Sequence, residues 1–427
     1  MKLITDLIKK IHRKGGFHVF AGQLLTKFVA FFASIFVVRL LTKEQYGILG
    51  YYENLYSYAV IFSGLGLANA VIRYVVKGCD IDEKRSFYRY VIKKSFLIDL
   101  IICFGFCAFN FVYKHPSNYI NYSYILLIFL IGLPFQDISN CCLNNERAMF
   151  ANSRYAVLSV TLTVTLILCR IVGAAINDSV GIAISQVVVY IVCSISLAVI
   201  EYKHYYSQSK EQKLTDIKRK EVDRYSFQYM ITNGLWAIFM LNDVYMLGRF
   251  GIPTTELADY KVAYVLPANL AIISTALGIV VAPYFIKNEN NLIWIRKNFK
   301  NVLIANFFII LFVAILLAIF SKPVVVLLYG KNYGNVAGIM QLLTISSAIN
   351  SGIRYPVANL LAAMGKVKYN MLIALLGVCI QIVMNIIFIP ILGTVGTIVA
   401  NIIAHSIMSC LLIFTFFRNY YSQGKEH

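Results

Sequence analysis

The side chains of this sequence that carry chemistry are ionisable groups within, or close to the ends of, long apolar segments. They are Lys27, Arg39, Glu53, Arg73, Asp99, Asp137, Arg170, Asp243, Lys261, Arg354 and His405. A charge at the centre of a bilayer costs about 2.5 to 3.5 kcal/mol on insertion scales. We therefore expect the deepest of these groups to face protein or water, where they bind a ligand or pair with each other.

Lys27 and Arg354 are the cations that the pattern places deepest. Lys27 lies near the middle of an apolar segment that is long enough to span a hydrocarbon core of about 30 Å. A cavity with excess cations suits an anionic ligand, and phosphate or diphosphate fits because ammonium and guanidinium groups complement its oxygens. The alternative is a buried structural pair with a carboxylate such as Glu53 or Asp137.

The carboxylates predict a second property, which is the binding of a coupling ion. Asp243 and Glu53 each lie about two turns below the outer end of a span, and Asp137 lies toward the cytoplasmic half of another. A buried carboxylate beside cations can bind H⁺ or Na⁺ differently in two conformations. Asp99 follows a basic run and is predicted to be interfacial, whereas His405 is predicted to be a structural hydrogen-bonding group.

Four other cations lie close enough to span ends for their charged groups to reach the membrane interface. Each is therefore either an interfacial anchor or a ligand contact. They are Arg39, Arg73, Arg170 and Lys261.

The elements that must position these groups are transmembrane helices. The chain has 427 residues, of which 59% are hydrophobic and 14% charged, and its mean hydropathy is +0.70, which is typical of a polytopic helical membrane protein. Unbroken hydrophobicity predicts twelve spans. They are residues 17–41, 46–72, 91–113, 120–143, 155–175, 180–200, 225–250, 257–286, 302–320, 336–364, 369–389 and 395–417.

Positive charge predicts the orientation of these spans. Of the 39 Lys and Arg residues, 28 fall in segments on the side of the N-terminus and five on the opposite side. Such a bias places both termini in the cytoplasm. The formal net charge of +19 therefore reflects membrane topology, and binding of nucleic acid is not expected.

The longest polar break, residues 201–224, separates two sets of six spans. We predict an N-terminal amphipathic cytoplasmic segment (1–16), an N-lobe (17–200), a cytoplasmic linker (201–224), a C-lobe (225–417) and a cytoplasmic tail (418–427). A weak internal repeat pairs Leu143 and Asn152 with Leu361 and Asn370, and residues 180–182 with 395–397. A parallel repeat of this kind predicts two lobes around a central cavity.

Several short motifs, taken in order, resemble those of bacterial polysaccharide flippases in the multidrug/oligosaccharidyl-lipid/polysaccharide exporter superfamily. The motifs are Lys27 with Arg39-Leu40-Leu41 and Glu44-Gln45-Tyr46-Gly47, then Gly64-Leu65-Gly66-Leu67-Ala68 with Arg73-Tyr74, Asn242-Asp243 with Leu247-Gly248 and Ala258-Asp259-Tyr260, Leu328 to Tyr333, and Leu361 to Asn370. Together they cover the whole chain. The twelve-span layout differs from that of the fourteen-span peptidoglycan-precursor flippases.

The resemblance implies a flippase of the bacterial cytoplasmic (inner) membrane that moves undecaprenyl-diphosphate-linked oligosaccharide for surface polysaccharide such as O-antigen lipopolysaccharide or capsule. It implies an H⁺ or Na⁺ gradient as the driving force, no cofactor or metal, function as a monomer, and glycan polymerase or export proteins as partners. Candidate contacts for diphosphate and acidic sugar are Lys27, Arg39, Arg73, Arg170 and Arg354; candidates for ion coupling are Asp243, Glu53 and Asp137. Of these, Lys27, Arg39, Arg73 and Asp243 occupy matching motif positions.

Two other functions fit less well. A multidrug or organic-cation antiporter of the same fold is expected to line its cavity with carboxylates and aromatic rings, whereas the deep charges here are mixed. A membrane glycan polymerase or O-acyltransferase needs a sizeable outer catalytic loop or a grouped surface site. The sequence has no metal-ligand cluster, nucleotide-binding glycine loop or nucleophile triad, so enzymatic activity and direct use of ATP are not expected.

Overall fold

A computed structural model of the protein describes residues 31–210, 212, 214–288 and 291–420. The described chain divides into two compact units, which meet in sequence between Gly234 and Leu235. Lys27 and the predicted amphipathic segment 1–16 lie outside the described residues.

The described part of the first unit contains seven α-helices and the beginning of an eighth. They are α1 (Phe31–Leu40), α2 (Lys43–Phe62), α3 (Leu67–Lys77), α4 (Ile81–Val112), α5 (Ser117–Ile120), α6 (Tyr124–Ala148), α7 (Asn152–Glu201) and the N-terminal part of α8 (Asp216–Arg249). The main core of this unit forms where α3, α4, α6 and α7 pack against each other, with residues such as Val71, Val91 and Cys141 fully or almost fully buried.

The second unit contains the rest of α8 and eight further helices. They are α9 (Thr254–Ala268), α10 (Ala271–Lys287), α11 (Leu292–Ile319), α12 (Ser321–Tyr329), α13 (Ala337–Ile349), α14 (Tyr355–Ala363), α15 (Val367–Leu392) and α16 (Thr394–Tyr420). A π-helical turn, Asn350–Arg354, joins α13 to α14. The core of the second unit includes the stacked rings of Phe299 and Phe416.

The helices account for the predicted spans. Nine described helical segments are long and apolar enough to cross a membrane, and one of these, Asn152–Tyr206, covers two predicted spans. α8 is a further helix of 34 residues, and α1 is the described part of the first span. The predicted all-helical integral membrane fold is therefore confirmed.

The second predicted span is interrupted where α2 ends. Thr42 caps the start of α2, since its side chain accepts a hydrogen bond from the Gln45 amide. A 3₁₀ turn, Ser63–Gly66, then separates α2 from α3, and Gly66 has a φ of +80°. A Cβ at Gly66 would lie 2.6 Å from the carbonyl oxygen of Ser226, so glycine is required for both backbone conformation and space.

α7 is a helical hairpin, because its backbone leaves helical geometry at Asn177 and Asp178. In a straight helix, residues 16 apart would lie about 24 Å from each other. Instead, the side chains of Arg170 and Gln186 share a hydrogen bond of 2.6 Å. Gly173 and Gly181 allow the two arms to approach, since a Cβ on either would overlap the backbone of the other.

The N-terminal part of α8 belongs to the first unit because polar contacts fasten it there. Lys94 forms an ion pair of 2.5 Å with Asp223, and the Tyr74 hydroxyl donates to the carbonyl oxygen of Glu221. These contacts tie α8 to α3 and α4, which explains why the units meet within this helix and not at its start.

Candidate functional site

A cavity of about 340 Å³ in the first unit contains two of the predicted site residues. Arg170, on the first arm of α7, forms an ion pair with Glu53 of α2, and its Nη1 donates to the Gln186 side chain on the second arm. Tyr46 and Tyr190 also line the cavity. The α7 hairpin creates this arrangement, because Arg170 and Gln186 reach the same space from opposite arms.

The ion pair reduces the net charge of this first cavity. The side chains of Arg170 and Glu53 are both about three-quarters buried, with exposed fractions of 26% and 23%. The guanidinium is thus compensated by a carboxylate and by an amide oxygen. An anionic ligand at Arg170 would have to compete with Glu53.

Asp137 lies outside this cavity, beside a second buried carboxylate, Asp99. Asp99 Oδ1 accepts hydrogen bonds from the Ser63 hydroxyl (2.9 Å) and the Gly64 amide (2.7 Å), and Asp137 accepts one from the Ser95 hydroxyl. The side chain of Asp99, which the sequence predicted to be interfacial, is completely buried within the protein. The two carboxylates are thus next to the 3₁₀ turn between α2 and α3.

The second unit has a cavity of about 200 Å³ that contains Asp243 of α8. The carboxylate accepts hydrogen bonds from the Tyr260 hydroxyl (2.6 Å), the Gln381 amide (2.9 Å) and the Asn401 amide (2.5 Å). These donors come from α9, α15 and α16, so three helices hold the carboxylate in place. Among the described residues, no hydrogen-bond partner is found for Gln381 Oε1 or for Thr397 Oγ1, one turn before Asn401.

Arg354 lies beside the same cavity and is buried, with an exposed fraction of 7%. Its guanidinium is 4.0 Å from the ring centroid of Trp236, and its Nε donates to Asn350 Oδ1 at 2.5 Å. Trp236, Asn350 and Tyr355 all line the cavity. Within the described part of the chain, no carboxylate lies within ion-pair distance of Arg354, in contrast to Arg170.

The periodicity of α8 places several of its side chains on the wall of this cavity. Trp236, Phe239, Met240 and Asp243 follow a spacing of three and four residues, and all four line the cavity. Trp236 and Asp243 are two turns apart, about 10 Å along the helix axis. Arg354 is stacked on Trp236, and in the described part of the chain it forms no ion pair with Asp243.

The remaining predicted cations lie elsewhere. Arg39 is exposed at the end of α1, and Arg73 is exposed on α3 with its guanidinium 4.7 Å from the ring centroid of Tyr225. The structure therefore pairs Arg170 with Glu53, and it places Arg354 next to the cavity that Asp243 lines, without contact between the two. It places Arg39, Arg73 and Asp137 outside both cavities.

Sequence reasoning missed the neutral polar residues of the second cavity. Gln381 and Asn401 are buried amides within strongly apolar helices. A polar side chain within such a helix was the signal that could have identified them as candidate site residues. Trp236, one of only two tryptophans, was also missed.

A buried acidic cluster where α6 and α7 end was missed as well. Glu146 is paired with Arg154 at 3.0 Å and accepts from the Tyr205 hydroxyl, while Glu201 accepts from the Asn145 amide. Glu146 and Glu201 are completely buried. These contacts join the end of α6 to the end of α7.

The described chain, with its long apolar helices and its buried charges beside internal cavities, is that of a multi-pass helical membrane protein. The chain belongs to the polysaccharide biosynthesis protein family, whose family model matches residues 12–289. No curated protein matches the sequence.

Solved structures of transporters share the fold. The inward-facing conformation of a multidrug resistance MATE family transporter of the MOP superfamily superposes with a TM-score of 0.73 and 13% identity, covering 94% of this chain and 96% of that one. The lipid II flippase MurJ, in an inward closed conformation, superposes with a TM-score of 0.68 and 17% identity, covering 92% of this chain and 87% of that one. A MOP superfamily transporter from Pyrococcus furiosus superposes with a TM-score of 0.58 and 13% identity, covering 95% of each chain. The family model confirms the predicted relation to polysaccharide biosynthesis proteins, and these structures show the same fold.

Proposed function

We propose that this protein is a flippase that moves undecaprenyl-diphosphate-linked oligosaccharide across the bacterial cytoplasmic membrane for surface polysaccharide of the O-antigen or capsule type. Transport is coupled to an H⁺ or Na⁺ gradient by alternating access, and both termini are cytoplasmic. Family membership supports a role in polysaccharide biosynthesis, and the fold supports a transporter or flippase.

The observation that carries the proposal is the environment of Arg354. Burying a guanidinium without a carboxylate partner is costly, and the aromatic face of Trp236 and a single amide oxygen compensate only part of that cost. An anionic ligand in the adjacent 200 Å³ cavity would supply the missing negative charge. Diphosphate suits this position because guanidinium binds phosphate oxygens through paired hydrogen bonds.

Asp243 is the proposed ion-coupling residue. Its carboxylate and the unpartnered oxygen of Gln381, whose amide nitrogen donates to Asp243, are the hard ligands that a small cation prefers, and a carboxylate also binds a proton. The hydrogen-bond donors around Asp243 are neutral, so they are compatible with a carboxylate that binds a cation and with one that binds a proton. Occupancy by the ion can therefore change without breaking a salt bridge.

The other site residues stay predictions. Lys27, Arg39, Arg73 and Arg170 are candidate contacts for the diphosphate or acidic sugars, and Glu53 and Asp137 are candidates for ion coupling. In the structure Arg170 and Glu53 compensate each other, and Asp137 lies beside Asp99. We therefore rank Arg354 and Asp243 first.

The test is glycan export by Arg354→Gln in cells that lack the native gene. Removing the guanidinium removes a buried charge–charge contact worth about 2 kcal/mol or more, so we expect at least a ten-fold loss of surface glycan. Arg249→Gln, which removes an exposed guanidinium of the same unit, is the matched control and should export normally.

Protein abundance is measured in both variants by immunoblotting of the membrane fraction. Normal surface glycan from Arg354→Gln at native abundance would contradict the proposal. If deletion of the gene abolished drug resistance and left surface glycan intact, the multidrug exporter function would replace it.

A further inference from the structure

We propose that Asn306 of α11 and Ser274 of α10 are positioning residues that hold the guanidinium of Arg354 beside the second-unit cavity. They act through the π-helical turn Asn350–Arg354, because their side chains contact its backbone. The inference rests on the proposed function, since it takes Arg354 as the anion contact. It adds two residues from other helices to the site that binds the substrate.

The π-helical turn leaves two backbone carbonyl groups without their usual helical donors. In an α-helix, the Ser351 carbonyl oxygen would accept from the amide of Tyr355, four residues later. Here that amide donates to the carbonyl oxygen of Asn350, five residues earlier, as in a π-helix. The Gly352 carbonyl oxygen would accept from Pro356, which has no N–H. A carbonyl group without a donor is costly inside a membrane protein, so both groups need side-chain partners.

Asn306 and Ser274 are the side chains that supply these donors. The amide nitrogen of Asn306 donates to the carbonyl oxygens of Ser351 (2.9 Å) and Gly352 (3.0 Å). The hydroxyl of Ser274 donates to the carbonyl oxygen of Ser351 at 2.6 Å. Both side chains are completely buried, and Asn306 lies in the most apolar of the nine described candidate spans. A polar residue in such a helix is costly, and its bonds to the turn account for its presence.

The π-helical turn determines the direction of the Arg354 side chain. Such a turn contains one residue more than an α-helical turn, and one residue corresponds to about 100° of rotation about the helix axis. If the amide of Tyr355 returned to the Ser351 carbonyl oxygen, Arg354 would rotate by about this angle relative to α13. Its guanidinium would then leave the ring of Trp236, from whose centroid it is 4.0 Å away. Because Trp236 lines the cavity, the turn and its two donors keep the cation next to the ligand.

The fluorescence of Trp236 reports the position of the guanidinium. The chain has two tryptophans, so Trp236 is the only one left in a Trp294→Phe background. In the purified full-length protein in nanodiscs, Arg354→Gln should shift the emission maximum of Trp236, because it removes a charge next to the ring. Asn306→Leu should produce at least half of that shift. Asn301→Leu, which changes an exposed amide of the same helix, is the matched control and should produce none.

Ser274→Ala provides a second variant in case Asn306→Leu does not fold. It removes one hydrogen bond and little volume, so it should shift the emission of Trp236 in the same direction by a smaller amount. The inference is overturned if both variants keep the native emission while Arg354→Gln changes it. It is also overturned if Arg354→Gln causes no shift, because the guanidinium would then not lie on the ring.

Surface glycan in cells separates this inference from the proposed function. At native abundance, Asn306→Leu should lower surface glycan at least three-fold. The double variant with Arg354→Gln should export as much as Arg354→Gln alone, because both changes act through the same guanidinium. A further loss in the double variant at equal abundance would show a separate role of Asn306 and overturn the inference. If Asn306→Leu shifts the emission of Trp236 but Arg354→Gln exports normally, the proposed function is wrong and the positioning of Arg354 stands.

Discussion

Arg170 and Arg354 are guanidinium groups in apolar segments, yet their surroundings differ. Arg170 is paired with Glu53 and held by Gln186, so its charge is compensated within the protein. Arg354 is stacked on Trp236 and bonded to a neutral amide. A cation that has a carboxylate partner is already compensated within the protein, whereas one without such a partner is available to an anion.

At the same scale, Asp243→Asn tests ion coupling. The amide keeps a side chain of similar shape but cannot bind a proton or carry a negative charge, so we expect translocation that no longer responds to the ion gradient. In reconstituted vesicles, the ratio of lipid-linked glycan translocation with and without an imposed gradient should fall toward one. A ratio equal to that of the wild type would exclude Asp243 as the coupling residue, and Asp216→Asn provides the control.

At the scale of elements, breaks in helices position the buried charges. The 3₁₀ turn after α2 presents the Gly64 amide to Asp99, and the reversal within α7 brings Arg170 to Gln186. A continuous helix in either place would direct these groups to different levels of the membrane. Both polar clusters therefore depend on these helix breaks.

Gly66→Ala should destabilise the first unit. A side chain at φ +80° is strained, and its Cβ would overlap the Ser226 carbonyl oxygen, so we expect a loss of about 1–3 kcal/mol in the free energy of unfolding. Thermal unfolding in detergent measures this change. Gly105→Ala on α4 is the control, since its Cβ meets no atom within 4 Å and should leave stability equal or slightly higher. Equal stability of Gly66→Ala and the wild type would contradict the assigned strain.

At the scale of the whole molecule, the distribution of Lys and Arg is the observation that predicts orientation. The excess on one side of the spans includes the segment between α7 and α8. Positive loops are retained in the cytoplasm during insertion, so a bias of this size favours one topology over its inverse.

Cysteine labelling tests that topology. In a variant without the nine native cysteines, Asn335→Cys should react with a membrane-impermeant maleimide in intact cells. Gln208→Cys should react only after the membrane is permeabilised. Both positions are exposed, so a difference in labelling reports the side of the membrane and not burial. The reverse pattern would overturn the predicted orientation.

Much of the fold was readable from sequence because hydrophobic length is a local property. A run of about twenty apolar residues has to form a helix in lipid, since its backbone groups find no other hydrogen-bond partners there. Eleven of the predicted spans, and the described part of the first, fall on described helices for this reason. Asp243, Glu53 and Arg354 were likewise identified because a charge within an apolar segment is conspicuous on its own.

Which buried charges contact each other depended on the tertiary structure. Glu53 and Arg170 are separated by more than one hundred residues, and only the packing of α2 against the α7 hairpin brings them into contact. Asp99 looked interfacial beside its basic neighbours, but the fold buries it next to Asp137. The sequence by itself determined that charges lie within the membrane-spanning helices. The tertiary structure decided which of them are neutralised, because compensation requires atoms a few ångströms apart that distant helices supply.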